Sequence, residues 1–339
     1  MGKPEQDIQD FIDEVYKKVS KNHSGNVATY IPQLAKADPN LFGICFVTCD
    51  GTIYKAGQVN KTIPIESISK VFSAAMAADE LGIDTINNKI GNAGSSLPFN
   101  SVIGTVLSDT HTINPFVNQG AIATTSLFYQ KNKHAFRNKI LSNMNKYAGR
   151  KLSFDKPVYT SEGNNNSTNM ALSYLLKGYG RFYGDVDDTV DVYTQQCSVD
   201  VSAKDLATMA CVFAKDGRHP INHNQIISKE ASRYIYRALR GEGLYEYSGT
   251  WDTDVGAVSA KSGVGGGIFI ILKGIGGIGI VSPKLDKIGN SVRGIQAGTM
   301  LAKKFQPVLH HNAKNCTVNK QFTKRNRKYS KKKKTLRNV

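Results

Sequence analysis

The sequence has no apolar run approaching the roughly 20 residues that a bilayer crossing requires, which argues against a transmembrane segment. Its opening stretch, MGKPEQDIQDFIDEVYKK, lacks the apolar core of a secretory signal and carries acids that a mitochondrial transit peptide avoids. Gln6 stands where a myristoylation site needs Ser or Thr. Cysteine is scarce: Cys45, Cys49, Cys197, Cys211 and Cys316 form an odd set without a CxxC pair or histidines at zinc spacing. A disulfide framework and a structural zinc are therefore not expected, and buried free thiols in an intracellular, cytoplasmic protein are. Acid is missing altogether from residue 314 onward.

What is present is an ordinary globular composition: 339 residues, 40% hydrophobic, with a net charge of +17. The charge is unevenly placed. Eleven Lys and Arg from Lys314 to Arg337 account for most of it, leaving +6 for the first 313 residues. The segment KRNRKYSKKKKTLR is too charged and too poor in apolar residues to fold alone. It suits an accessory role: unspecific contact with nucleic acid or an anionic surface, or direction to a nucleus in a host that has one. Its few aromatics, Phe322 and Tyr329, offer little for base stacking.

Along the chain, Ile8, Phe11, Ile12, Val15, Tyr16 and Val19 recur at helical spacing and predict an amphipathic first helix. LFGICFVTCDGTIYKAGQ reads as two strands around the hairpin pair Asp50-Gly51. A helix carrying Ser67 and Lys70 follows, closed by Gly82. Residues 85–250 are mostly helical segments broken by Gly, Asn and Asp turns. Apolar strands return at GGIFIILK and GIGIVSP, and NSVRGIQAGTMLAKKF makes a closing helix. The order predicts an α/β fold of the α+β type. One antiparallel sheet drawn from both ends of the chain, about 1–84 and 251–306, carries the terminal helices, and 85–250 forms a helical lobe. The expected division is a catalytic unit over 1–306 and a basic, disordered tail over 307–339, with a site in the cleft between lobes.

GIGGIG at 274–279 matches GxGxxG, but strand-like residues flank it on both sides and no helix begins there. A hairpin turn explains it better than a dinucleotide site. Ser67-Ile68-Ser69-Lys70 is short and by itself nonspecific; most such patterns are helix ends with a solvated lysine. Its chemistry is nonetheless defined. A hydroxyl is a poor nucleophile until a base takes its proton, and residues i and i+3 share a helix face. The positive helix start and burial both disfavour an ammonium, making Lys70 a usable base, and the same partial charges favour an oxyanion. Lys261-Ser262-Gly263 entering a strand supplies the second element of Ser/Lys acyl-transfer sites, a strand lining the opposite wall.

VATYIPQLAKADPNLFGICFVTCDG, SISKVF, INPFVNQGAI, SEGNNNSTNMA, YTQQCSV, GLYEYSG, AKSGVGGGI and SPKLDKIGNSVRG follow one another across about residues 24–305. In kind, order and spacing they resemble the blocks of serine-dependent glutaminases. The resemblance implies a β-lactamase/transpeptidase-like fold and hydrolysis of L-glutamine to L-glutamate and ammonia, with no cofactor and no metal. It implies Ser67 as nucleophile, Lys70 as its base and Tyr245 as a proton shuttle. Tyr30, Asn118, Glu162, Asn169 and Tyr193 would hold the substrate, and the Val264 N–H would join that of Ser67 in the oxyanion hole. Glutaminase-like assembly would be a homodimer or homotetramer. The residue types fit: Glu162 can pair with an α-ammonium, and Asn and Tyr can donate to an α-carboxylate. Taken singly, each such Asn or Tyr is more often a cap or a core ring.

Three positions depart from the family pattern: Glu66 for a neutral Gln, Gln119 for a small Ala, and Thr168 for an Arg. Glu66, next to the nucleophile at a helix start, is expected to point away from Lys70. Two alternatives stay open on sequence grounds: another Ser/Lys acyl hydrolase of β-lactamase or peptidase type, and a weakened homologue that binds through its basic tail.

Overall fold

The computed structural model describes residues 4–95 and 97–314. Seven strands form two sheets: β1 (Gly43–Thr48), β2 (Ile53–Gly57), β3 (Thr62–Pro64), β4 (Asp200–Ser202), β5 (Ser259–Gly263), β6 (Gly267–Leu272) and β7 (Gly276–Val281). The main sheet is antiparallel throughout with order β2-β1-β7-β6-β5, so strands from both ends of the chain join in one sheet across the β1–β7 pairing, as the sequence predicts.

Period-two alternation divides its residues between two cores. Ile44, Phe46, Ile268, Ile270, Ile278 and Ile280 pack with Ile12, Val15 and Val19 of the first helix (Pro4–Val19) and with Leu301 and Phe305 of the last (Val292–Lys314). Cys45, Val47, Phe269 and Ile271 instead join Leu206, Met209 and Phe213 of the Ala203–Ala214 helix and the rest of the helical block. That helix lies within 85–250 yet packs directly on the sheet, and β7 is glycine-rich because of it. A Cβ on Gly277 would come within 2.3 Å of the Ala207 carbonyl, and one on Gly279 within 2.1 Å of the Ala203 carbonyl. GIGGIG is thus a β6–β7 hairpin followed by a helix-bearing strand, as its flanks indicate.

Three local details differ from the sequence expectation. The first hairpin closes on a Thr48 N–H to Thr52 carbonyl bond, leaving Cys49, Asp50 and Gly51 in its turn rather than the Asp-Gly pair alone. The short β3–β4 pairing, Ile63 opposite Val201, is too brief to leave a period in the sequence. The closing helix continues past 306 to Lys314; the basic tail beyond it lies outside the described residues.

Candidate active site

The β3 strand delivers the chain to the site. After Pro64, the Ile65 N–H bonds to the Val199 carbonyl, and Glu66–Ser69 form a 3-10 turn from which the Lys70–Glu80 helix continues. The sequence suggests an α-helical first turn here. The observed 3-10 geometry serves the pair better, because at three residues per turn positions i and i+3 eclipse one another. The turn is pressed against the end of β5: a Cβ on Gly263 would stand 2.6 Å from the Ile65 carbonyl, and one on Gly265 2.4 Å from that of Pro64. The glycines of KSGVGG are therefore what lets the strand edge reach the nucleophile turn.

Lys70 is fully buried. Its amine donates to Asn118 Oδ1 at 2.7 Å and to the Phe116 carbonyl at 3.3 Å. Burial pulls its pKa down from 10.5 to about 8, against the opposing influence of Cys197, Glu66 and Glu242. An ammonium needs three acceptors and a neutral amine only two; two are provided, so the remaining lone pair is free to accept a proton. Ser67 is half-buried and hydrogen-bonded to Tyr245, whose hydroxyl also donates to the Ser262 carbonyl at 3.3 Å. Burial raises the Tyr245 pKa. Lys261, also fully buried, donates to the same carbonyl at 3.0 Å and sits 4.5 Å from the Tyr245 ring centre. Burial and then Lys70 hold its pKa far below the ordinary value.

Ser67 opens on a cavity of about 350 Å³. Its wall contains Tyr30, Asn118, Glu162, Asn169, Tyr193 and Val264, so every residue marked in the sequence as substrate-facing is brought to one place, with Tyr245 and Lys70 directly behind. Four separate helices supply the wall: Asn118 begins Asn118–Ser126, Glu162 ends Lys156–Gly163, Asn169 lies in the first turn of Ser167–Gly178, and Tyr193 lies within Val186–Cys197. Asn118 Nδ2 donates to Asn169 Oδ1 at 3.0 Å, linking the lysine to the wall. The Tyr30 hydroxyl donates to Glu162.

Glu66 does not point away. Its backbone is left-handed (φ 51°), its side chain is buried, and it lines the cavity beside Tyr30 and Glu162. Burial, then Glu162, push its carboxyl well above the usual range, opposed by Lys70. The positive φ turns the side chain inward, a consequence that sequence spacing cannot express. Gln119 is buried with Nε2 directed at the Ser101 carbonyl, and Thr168 lines the cavity.

With that geometry in view, relatives are informative. The profile of the glutaminase family matches residues 25–310. The chain belongs to the glutaminase family. It is 44% identical over 305 residues to a glutaminase of Colwellia psychrerythraea, covering 90% of this chain and 96% of that one. Glutaminase 1 of Escherichia coli K12 is 38% identical over 298 residues, at 88% and 96% coverage. Among solved structures, one described as probable glutaminase YbaS superposes with a TM-score of 0.86 at 38% identity, covering 88% of this chain and 97% of that one. Mglu in its glutamate form gives 0.84 at 32%, covering 90% and 69%. The fold of this glutaminase-family hydrolase is accordingly the β-lactamase-like one that its motifs imply.

Sequence reasoning missed several parts of the site. The Phe116 carbonyl is positioned by Asn114, whose Oδ1 accepts from the Phe116 N–H at 2.8 Å. Asn114 in turn donates to buried Glu242 at 3.4 Å. Burial raises Glu242 to a pKa of about 7. Phe99 lines the cavity, packs tilted against the Tyr245 ring at 5.1 Å between centres, and has its own ring centre 5.8 Å from the Lys70 amine. None of these contacts has a spacing signature, although INPFVN does contain Asn114 and Phe116. Among the described residues no group of His, Cys, Asp and Glu is placed to hold a metal ion, and no helix is long and apolar enough to cross a membrane.

Proposed function

We propose that this glutaminase-family enzyme hydrolyses L-glutamine to L-glutamate and ammonia through an acyl-enzyme on Ser67. The observation that carries the reading is the Lys70 amine, buried with only two acceptors and three residues on from Ser67, which itself opens on an acid- and amide-lined cavity. Neutral Lys70 removes the Ser67 proton, and Oγ attacks the side-chain amide carbon. The N–H groups of Ser67 and Val264 stabilise the oxyanion. The carbon–nitrogen bond breaks as the Lys70 ammonium returns the proton to the leaving nitrogen, with Tyr245 as relay. Water then attacks the glutamyl ester; Lys70 takes the water proton and delivers it to Ser67 Oγ, releasing glutamate. Glu162 pairs with the α-ammonium, while Asn118, Asn169, Tyr193 and Tyr30 grip the α-carboxylate end and fix the pose.

The test is ammonia release from glutamine by wild type and Ser67→Ala, with mass spectrometry for a glutamyl adduct on Ser67, run beside nitrocefin. Ammonia release lost in Ser67→Ala supports the reading; nitrocefin turnover without ammonia release refutes it in favour of a β-lactamase-type hydrolase.

The proposal includes residues 1–306 as a sufficient catalytic unit in an intracellular setting that suits free Cys45, Cys49, Cys197 and Cys211. It also includes association of copies, supported by the exposed Val102, Ile103, Val106 and Leu107. The eleven-cation tail is assigned accessory contact with polyanions. Deleting 314–339 leaves turnover intact and removes salt-sensitive nucleic-acid binding; lost turnover overturns the division.

A further inference from the structure

Glu66 is a buried acid in a substrate cavity, and nothing in the mechanism above uses it. Its Oε1 has no hydrogen-bond partner although it is shielded from solvent. A buried carboxyl oxygen left unpaired costs about 1–3 kcal/mol, more if charged, so its retention in the cavity wall asks for an occupant that pairs it. The Tyr30 hydroxyl donates to Glu162, and Tyr30, Glu66 and Glu162 line the same cavity. Among the described residues the cation that acts on Glu66 is Lys70, and its amine donates to Asn118 and to the Phe116 carbonyl. The other titratable groups facing Glu66 are Tyr193 and Cys197 on the Val186–Cys197 helix and Tyr245 beside β5; all three are neutral near pH 7.

We infer that Glu66 and Glu162 form a two-carboxyl subsite that holds one shared proton when empty and expels it when the α-ammonium of the substrate enters. The inference rests on the glutamine reading above and adds a proton to its binding step. Two adjacent carboxylates in a poorly solvated pocket cannot both ionise without a counter-charge. An ammonium brings that charge and three donors, enough to pair Glu162 and the orphaned Glu66 oxygen together. The incoming positive charge also offsets the influence of ionised Glu66 on Lys70, so that losing the shared proton does not push the Lys70 pKa back up. The subsite thereby selects a free α-ammonium over acylated or peptide-bound glutamine.

The experiment is calorimetric binding of L-glutamine to Ser67→Ala in phosphate and in Tris at pH 7, with N-acetyl-L-glutamine as the ligand lacking the ammonium. Release approaching about one proton per site is expected, falling to less than half in Ser67→Ala/Glu66→Gln. In the Ser67 enzyme, KM for glutamine falls by up to about tenfold per pH unit while the pair still holds its proton, and Glu66→Gln flattens that slope. Equal proton counts with and without Glu66, or proton uptake on binding, overturn the inference while leaving the glutamine assignment standing. Absence of glutamine binding by Ser67→Ala overturns both. If Glu66→Gln does not fold, the wild-type series decides alone: a KM that is flat or rises with pH over that range refutes the shared proton.

Discussion

Asn118→Asp exchanges one atom group at the most informative contact in the site. In the wild type, Asn118 Oδ1 lies 2.7 Å from the Lys70 amine as a neutral acceptor. A carboxylate there would face the amine in a buried setting, where an opposite charge at this range typically shifts a pKa by about 1–3 units toward the charged form. Lys70 starts at about 8. It would move to about 9–11, and the neutral fraction at pH 7 would drop from roughly 10% to between about 1% and 0.01%. Turnover at pH 7 is therefore expected to fall about 10- to 1,000-fold and to recover on raising the pH. Asn118 also donates to Asn169, so KM will rise for a separate reason. The diagnostic quantity is the midpoint of the acidic limb of kcat at saturating glutamine, followed by ammonia release from pH 6 to 11. It should lie at least one unit higher in the variant than in the wild type. A limb that stays in place while activity falls would mean that Lys70 is not the titrating base.

Three further outcomes follow from the same contacts. Lys70→Met should abolish turnover yet stabilise the fold: holding Lys70 about 2.5 units below 10.5 costs about 3 kcal/mol below pH 8, where folded and unfolded chains are both protonated. The cost is lost as pH rises from 8 to 10.5, so urea unfolding should show the gain at pH 7 and little of it at pH 10. Gly263→Ala puts a Cβ 2.6 Å from the Ile65 carbonyl and should cost about 1–3 kcal/mol in thermal unfolding, with turnover falling as the strand edge is pushed from Ser67. Tyr245→Phe removes the hydroxyl shared by Ser67 and Ser262; kcat should fall about 10²–10⁴-fold while stability changes by only about 1 kcal/mol. Equal losses in both would make Tyr245 a packing residue.

The sequence was legible where local pattern and tertiary role coincide. The continuous apolar runs ICFV and IFIIL marked the strands because both faces of the sheet meet a core. The cavity wall could be named in advance because blocks such as NPFVNQG and SEG resemble those of a known family; the residue types and spacing by themselves left each Asn and Tyr a cap or a core ring. Legibility failed where conformation decides. Glu66 faces inward because its φ is 51°, and the 3-10 turn replaces an α-turn because the chain must leave β3 and clear β5 within a few residues. The Asn114–Glu242 support of Phe116 joins segments 128 positions apart through a carbonyl, which no residue-type pattern encodes.

Acid and base at this site can be told apart by the direction in which burial moves each group. Tyr245 is hydrogen-bonded to Ser67 and Lys70 lies three residues on from it, and both are buried. Burial penalises charge, so it drives the phenol toward staying protonated and the amine toward losing its proton. One environment thus yields a donor on the β5 side and an acceptor on the helix side. Lys261, which lies 4.5 Å from the Tyr245 ring centre and donates to the Ser262 carbonyl, is moved in the same direction as Lys70, its charged form disfavoured by burial. Under the proposed mechanism the proton must pass from Ser67 to Lys70 and then to the leaving nitrogen, while Tyr245 gives and recovers its own. A site that instead solvated both groups would leave the amine charged and the hydroxyl of Ser67 without a base, which is why the motif requires the core around it as much as the four residues that spell it.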